Sequence, residues 1–290
     1  MTPHPHCWLN GTFQPLAQAR VSPLDRAFLF ADAVYEVIPV HGGRLFRLRE
    51  HLDRLRNSLE GIGMASPLSH PQWLEVLDEL VERNGRGDQY TYVQVSRGTE
   101  FGRNHAWPDD LAPTLFACCS PLPPTAPAMI EQGVAAITAQ DIRWARCDIK
   151  STSLLPNVLL KKQAARAGAF ETILLRDQWL TEGASTSVHV LIDDTVLAPP
   201  NSQRILPGTT RTVVEELAQR IGLPTRSEPI SETRLRGARE IWLSFSTRGL
   251  LPVTRLDGRP VGDGRPGEQF RRMHAAFDAL IEELAGTPAL

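Results

Sequence analysis

Asp141-Ile-Arg-Trp-Ala-Arg-Cys-Asp-Ile-Lys150-Ser-Thr152 and, downstream, Leu180-Thr-Glu182-Gly-Ala-Ser-Thr-Ser187 are the two stretches on which the reading of this chain turns. In the first, a lysine stands between an apolar residue and two small hydroxyl residues, at what reads as the end of a strand. Of the 31 basic residues, 28 are arginine and only Lys150, Lys161 and Lys162 are lysine. Arginine thus serves almost everywhere a solvated positive charge suffices, and a lysine that remains is a candidate for chemistry arginine cannot do. A guanidinium stays protonated and forms no imine, whereas an amine loses its proton when desolvated or set beside other cations. Lys161 and Lys162 lie in Leu159-Leu-Lys-Lys-Gln-Ala-Ala-Arg166, a helical pattern whose lysines normally face water. Lys150 is therefore the candidate, with an ion pair to Asp148 or Asp141 as the ordinary alternative.

Around these stretches, the chain reads as two α/β domains, roughly 1–120 and 128–290, with the reactive lysine in the second. The proline-rich Ser120-Pro-Leu-Pro-Pro-Thr-Ala-Pro127 holds neither helix nor central strand, so 121–127 is the expected linker. Short β-branched and aromatic runs predict strands over 34–40, 89–97, 134–138, 170–175, 188–192 and 241–245, with a hairpin turn at His41-Gly42-Gly43. Helical spacing links Leu52, Leu55, Leu59 and Ile62, then Trp73 or Leu74, Leu77, Leu80 and Val81. Further helices are expected near 155–167, 211–221 and 267–285.

A net charge of -2 gives no global attraction for nucleic acid or anionic membrane, and a small-molecule substrate fits better. The residues from Met1 to Gly11 lack a basic start followed by an apolar run, and no stretch is apolar enough to span a bilayer, so a cytoplasmic protein is expected. Cys7, Cys118, Cys119 and Cys147 have neither the density of a disulfide scaffold nor the paired spacing of a zinc site. Free thiols and no metal are expected. No strand is followed by the glycine-rich fingerprint of a nucleotide-binding dehydrogenase.

Lys150 and Thr181-Glu182-Gly183, together with Asp32-Ala-Val-Tyr35-Glu-Val, Glu50-His-Leu-Asp-Arg54-Leu, Arg97-Gly-Thr and Leu206-Pro-Gly-Thr-Thr210-Arg, resemble in order and spacing the fold type IV pyridoxal-phosphate aminotransferases. Within that family the resemblance is closest to the D-amino-acid transaminases, because Arg103-Asn-His105 matches the Arg-x-His pair that grips a substrate carboxylate there. The resemblance implies two domains with the cofactor in the cleft between them, amino acids and 2-oxo acids as substrates, and a homodimer whose active site is shared.

It also implies roles. Lys150 would carry pyridoxal 5'-phosphate as a Schiff base and shuttle the proton at the substrate alpha carbon. Glu182 would keep the pyridine nitrogen protonated. Arg54, Thr209, Thr210 and Ser246 would hold the phosphate, the threonines at a helix start where backbone N–H groups favour an anion. Tyr35, Arg103, His105 and Thr247 would face the substrate. Taken singly, each has a plainer reading: a turn carboxylate for Glu182, a surface salt bridge for Arg54, helix caps for the threonines, a core ring for Tyr35 and a solvated loop for Arg103 and His105.

The chain departs from the family pattern in four places. The loop before Arg103 is one residue longer, alanines stand at 31 and 33 where glycines are usual, Ser187 replaces an asparagine, and Arg248 follows Thr247 where a small polar residue is usual. The longer loop and Arg248 bear on specificity, and they keep open a branched-chain L-amino-acid aminotransferase, an (R)-amine transaminase and an aminodeoxychorismate lyase. A non-catalytic binding protein that kept the fold is the rival of another class.

Overall fold

Val34, Glu36, Ile38 and Val40 all point inward from one strand, the period-two pattern of a sheet with one face in a core. The computed structural model describes residues 2–286 and divides them into two compact units. The first takes the chain to Pro123, Ile149–Ser153 and the helix end from Glu283; the second takes Pro124–Asp148 and Leu154–Glu282. The division falls between Pro123 and Pro124, within the proline-rich stretch.

The first unit has a six-stranded antiparallel sheet of β1 (His6–Leu9), β2 (Thr12–Pro15), β3 (Ala33–His41), β4 (Arg44–Leu45), β5 (Gln89–Ser96) and β6 (Thr114–Pro121), in the order β2-β1-β6-β5-β3-β4. Its helices are α1 (Arg26–Phe30), α2 (Leu48–Gly61) and α3 (His70–Arg83). Leu52, Leu55 and Leu59 of α2 and Trp73, Leu77 and Leu80 of α3 form one core with Val34, Ile38 and Val93. Trp73 is the buried member of its pair, while Leu74 is exposed. The expected hairpin joins β3 to β4 through Gly42 and Gly43, both at positive φ (56° and 78°), as a tight two-residue turn requires.

The second unit has a nine-stranded mixed sheet. Its strands are β7 (Val134–Gln140), β8 (Glu171–Arg176), β9 (Trp179–Gly183), β10 (Ser187–Ile192), β11 (Thr195–Ala198), β12 (Thr225–Ser227), β13 (Glu240–Phe245), β14 (Gly249–Leu256) and β15 (Arg259–Pro260). They run in the order β12-β11-β10-β13-β14-β7-β8-β9, with β15 on β14. Helices α4 (Pro127–Glu131), α5 (Leu155–Arg166), α6 (Thr209–Arg220), α7 (Glu232–Arg236) and α8 (Glu268–Gly286) accompany it. On α8, Phe270 and Met273 are core residues, Phe270 packing edge-on to Trp242. No helix among the described residues is long and apolar enough to cross a membrane.

The lysine segment differs from expectation in two respects. Lys150 ends an irregular loop, residues 141–150, rather than a strand, and Ile149–Ser153 packs with the first unit, not the second. The cause is local. β4 pairs with only Val40 and His41 of β3, so the other end of that strand keeps an open edge, and Ser151 bridges to it opposite Val34 while Ile149 enters the core of Leu55 and Leu59.

Glu36 occupies a core position, and two residues of α2 meet its charge. Arg54 donates two hydrogen bonds to the carboxylate, at 2.7 and 2.8 Å, and His51 Nδ1 lies 2.7 Å away. Burial by itself would raise the Glu36 pKa, but Arg54 and His51 hold it well below the usual carboxylate range. Burial also keeps the His51 imidazole below its usual value, despite Glu36. Both groups are thus depressed in the folded state, so the stability they contribute is lost as pH falls, from about 6.5 for His51 and below about 4.3 for Glu36. We expect the urea midpoint to drop between pH 7.5 and 5, with His51 contributing at most about 1.4 kcal/mol per pH unit. His41 and His189 are depressed by burial too, so His51→Gln should flatten this slope without abolishing it. An unchanged midpoint over that range would contradict the account.

Ala31 closes α1 in the left-handed conformation (φ 55°, ψ 31°), which explains why glycine is the usual residue there. The strain of roughly 1–2 kcal/mol exceeds the roughly 0.4–1 kcal/mol of unfolded-chain entropy that a glycine adds. Ala31→Gly should therefore stabilise the protein by about 0.5–1 kcal/mol in denaturant titration, and destabilisation would refute this.

Candidate active site

Lys150 is held by its backbone. Its carbonyl accepts from Tyr35 N at 2.9 Å and its amide donates to Ser58 Oγ at 3.1 Å, while Thr152 N donates to Ala33 O at 3.0 Å and Thr152 Oγ to Ala31 O at 3.1 Å. These bonds strap the segment to the edge of β3. The amine, Nζ, then lies over the ring of Tyr35, 4.3 Å from its centre. Asp148 pairs with Arg146, and Asp141 with Arg143 and Arg176, so the two carboxylates of the ordinary reading are engaged by arginines. Tyr35 stacks on Tyr92 with ring centres 5.7 Å apart. It borders the amine rather than filling the core.

On the opposite face of β3 the Glu36 carboxylate orients Arg54 from below. Arg54 is 7% exposed, so its pairing is a buried one and not the surface bridge of its plainer reading. Farther along the chain, the loop that follows β5 brings Arg103 and His105 onto a single ring. The Arg103 guanidinium is 5.1 Å and the His105 ring 5.4 Å from the centre of Phe30. Both residues are exposed.

Glu182 lies on β9 in the second unit and is 6% exposed. It forms an ion pair with Arg143 and accepts from Leu206 N at 3.1 Å. Burial pushes its carboxyl upward, and the Arg143 guanidinium pulls it back. The neighbours in Thr181-Glu182-Gly183 have distinct tasks. Thr181 Oγ donates to Asp141 at 3.0 Å, tying the strand to the same acidic residue that orients Arg143. A side chain at Gly183 would meet Thr186 Oγ at 2.1 Å, so only glycine fits.

Thr209 and Thr210 are buried at the start of α6, whose cap is Gly208, and they are helix-start residues rather than caps. Ser246 and Thr247 occupy the turn between β13 and β14, which closes at Phe245 opposite Gly249. Arg248 in that turn donates to Pro124 O at 2.6 Å. Ser187 packs against Gly208: a side chain there would come within 2.6 Å of Ser187 Oγ. The structure gathers Lys150, Tyr35 and Arg54 on the β3–α2 layer and Arg103 with His105 on α1; Glu182, Thr209, Thr210, Ser246 and Thr247 belong to the second unit.

Sequence reasoning passed over Glu36, His51 and Arg143. A signal for the first two existed: a glutamate in phase with Val34 and Ile38 must be buried and needs partners, and His51 and Arg54 stand three residues apart beside the apolar face of Leu52 and Leu55. For Arg143 nothing in one sequence distinguishes it from Arg146, which pairs with Asp148 at the surface.

With this geometry in view, the likenesses to known proteins become interpretable. Residues 33–256 match the model of the amino-transferase class IV family. The D-alanine aminotransferase of Bacillus licheniformis is 38% identical over 96% of this chain and 98% of its own length. A second, from Listeria monocytogenes, is 37% identical over 92% and 93%. Among solved structures, the Escherichia coli branched-chain amino acid aminotransferase superposes with a TM-score of 0.88 at 24% identity, covering 96% of this chain and 95% of that one. The fold type IV transaminase of Curtobacterium pusillum superposes with a TM-score of 0.83 at 25% identity, covering 94% and 91%. The likeness thus extends along nearly the whole chain, and the chain belongs to the class IV aminotransferases.

Proposed function

We propose that this protein transfers amino groups between D-amino acids and 2-oxo acids, with pyridoxal 5'-phosphate carried on Lys150. The observation that carries the reading is the Arg103–His105 pair, 5.1 and 5.4 Å from the ring centre of Phe30, in a chain similar over almost its full length to D-alanine aminotransferases.

The residues present suit the cofactor. Lys150 presents an amine with no carboxylate partner among the described residues. The buried Glu182 carboxylate is pushed up by desolvation and gains from a further positive neighbour such as a protonated ring nitrogen. Thr209 and Thr210 at the start of α6, with the Arg54 guanidinium and the Ser246 hydroxyl, would hold the phosphate. Once bound, the cofactor supplies an electron sink for the charge left when the alpha proton departs. Lys150 would hold the group covalently and move that proton, on a backbone tied to Tyr35 and Ser58. Tyr35 walls the amine on one side, and Thr247 faces the substrate. Arg103 and His105 take the substrate carboxylate. Handedness follows from where that carboxylate is held, because only one enantiomer then turns its alpha hydrogen towards Lys150. An amino acid would give up its amino group and leave as a 2-oxo acid before a second 2-oxo acid takes that amino group, so ping-pong kinetics are expected.

Leu155, Val158 and Leu159 expose apolar side chains on one helix, which supports a second copy of the chain as partner and hence a homodimer. Four free thiols suit a reducing compartment and support a cytoplasmic location.

A panel of D- and L-amino acids with pyruvate and 2-oxoglutarate tests the reading. D-substrates should be preferred, and Arg103→Ala should lower catalytic efficiency on them at least about tenfold, the loss of a charge-assisted contact of about 1.5–3 kcal/mol. A wild type that prefers L-amino acids would contradict it.

A further inference from the structure

We propose that Arg26 and Phe30, both on α1, are positioning residues that hold Arg103 and His105 in register for a substrate carboxylate and so set the preference for carboxylate-bearing donors. The inference rests on the reading of Arg103 and His105 given above.

The Arg26 side chain is 3% exposed, yet it reaches into an otherwise exposed loop. Its Nε donates to Asp32 at 2.9 Å, Nη1 to Glu100 Oε2 at 2.7 Å and to Asn104 O at 2.8 Å, and Nη2 to His105 O at 3.0 Å. One planar fork therefore grips the loop on both sides of Arg103. An ammonium on a flexible stem cannot hold four acceptors in this fixed geometry. The anchor is itself rigid. Asp32 also receives Arg97 through two bonds, at 2.8 and 3.0 Å, and Arg26 N donates to Gly98 O at 2.9 Å.

Phe30 sets the side chains. Arg26 lies 4.8 Å from its ring centre, close to the distances of Arg103 and His105, so three nitrogen-bearing groups gather around one aromatic ring. Charge distinguishes the two arginines. Arg26 is neutralised by Asp32 and Glu100, whereas Arg103 has no carboxylate partner among the described residues. The platform thus spends its acidic residues on the anchoring guanidinium and keeps the presented one for an incoming anion. Residues of α1 accordingly act through Arg103 and His105.

The test uses the holoenzyme in single turnover, separating the apparent Kd for D-alanine from the limiting rate of the half-reaction. Methoxyamine, a nucleophile without a carboxylate that attacks the same cofactor, is the control. Arg26→Lys and Phe30→Leu should each raise the Kd for D-alanine about fivefold or more, with the limiting rate and the methoxyamine rate within about twofold of wild type. Phe30→Tyr, which keeps the ring face, should behave as wild type. The cofactor absorbance of each variant reports an intact site. An unchanged Kd in both Arg26→Lys and Phe30→Leu overturns the proposal, as does an equal loss on D-alanine and methoxyamine. Arg103→Ala, measured alongside, separates the two readings. If it leaves the Kd for D-alanine unchanged, the assignment of Arg103 fails; if it alone raises the Kd, only the role of α1 fails.

Discussion

The open edge of β3 is the constraint on which the placement of Lys150 depends. A strand edge leaves backbone donors and acceptors unpaired, and here Lys150, Ser151 and Thr152 satisfy them in place of a neighbouring strand. The pairing costs the lysine segment its freedom and returns a fixed origin for the amine. Because side chains alternate across a strand, adjacent residues then divide the work. Tyr35 meets the amine, Glu36 turns into the core to orient Arg54, and the residues just before β3 form the platform under Arg103.

Buried charge is the second theme. The Glu36–Arg54–His51 cluster and the Asp141–Arg143–Glu182 chain both place ionised groups out of water. Such pairs are weak contributors to stability, since desolvation offsets much of the Coulombic gain. Their value lies in orientation. A bidentate fork holds a guanidinium in one plane, and Arg143 is fixed by Asp141 before it reaches Glu182. The preference for arginine throughout this chain fits that use.

Lysine scarcity narrowed the candidates to three because imine chemistry excludes arginine, and the helical pattern around Lys161 and Lys162 left Lys150; the period-two and helical patterns located β3, α2 and α3 because one-sided burial repeats with the element's own period. The lysine segment read as a strand end because Cys147, Ile149 and the hydroxyl residues carry no mark of an irregular loop. Its attachment to β3 is a long-range edge pairing that local pattern does not encode. Lys161 also departs from its surface reading: Nζ donates to Phe170 O at 2.7 Å and lies 3.3 Å from the buried Glu171 carboxylate. The platform of Arg26 and Phe30 was invisible in sequence, since it brings together residues more than seventy positions apart.

Borohydride reduction of the purified holoenzyme followed by peptide mapping tests most directly whether the amine on the β3 edge carries the cofactor. The account predicts one pyridoxyl group per chain, on the peptide containing Lys150. A label on Lys161 or Lys162, or no label on a protein that still catalyses transamination, would contradict it.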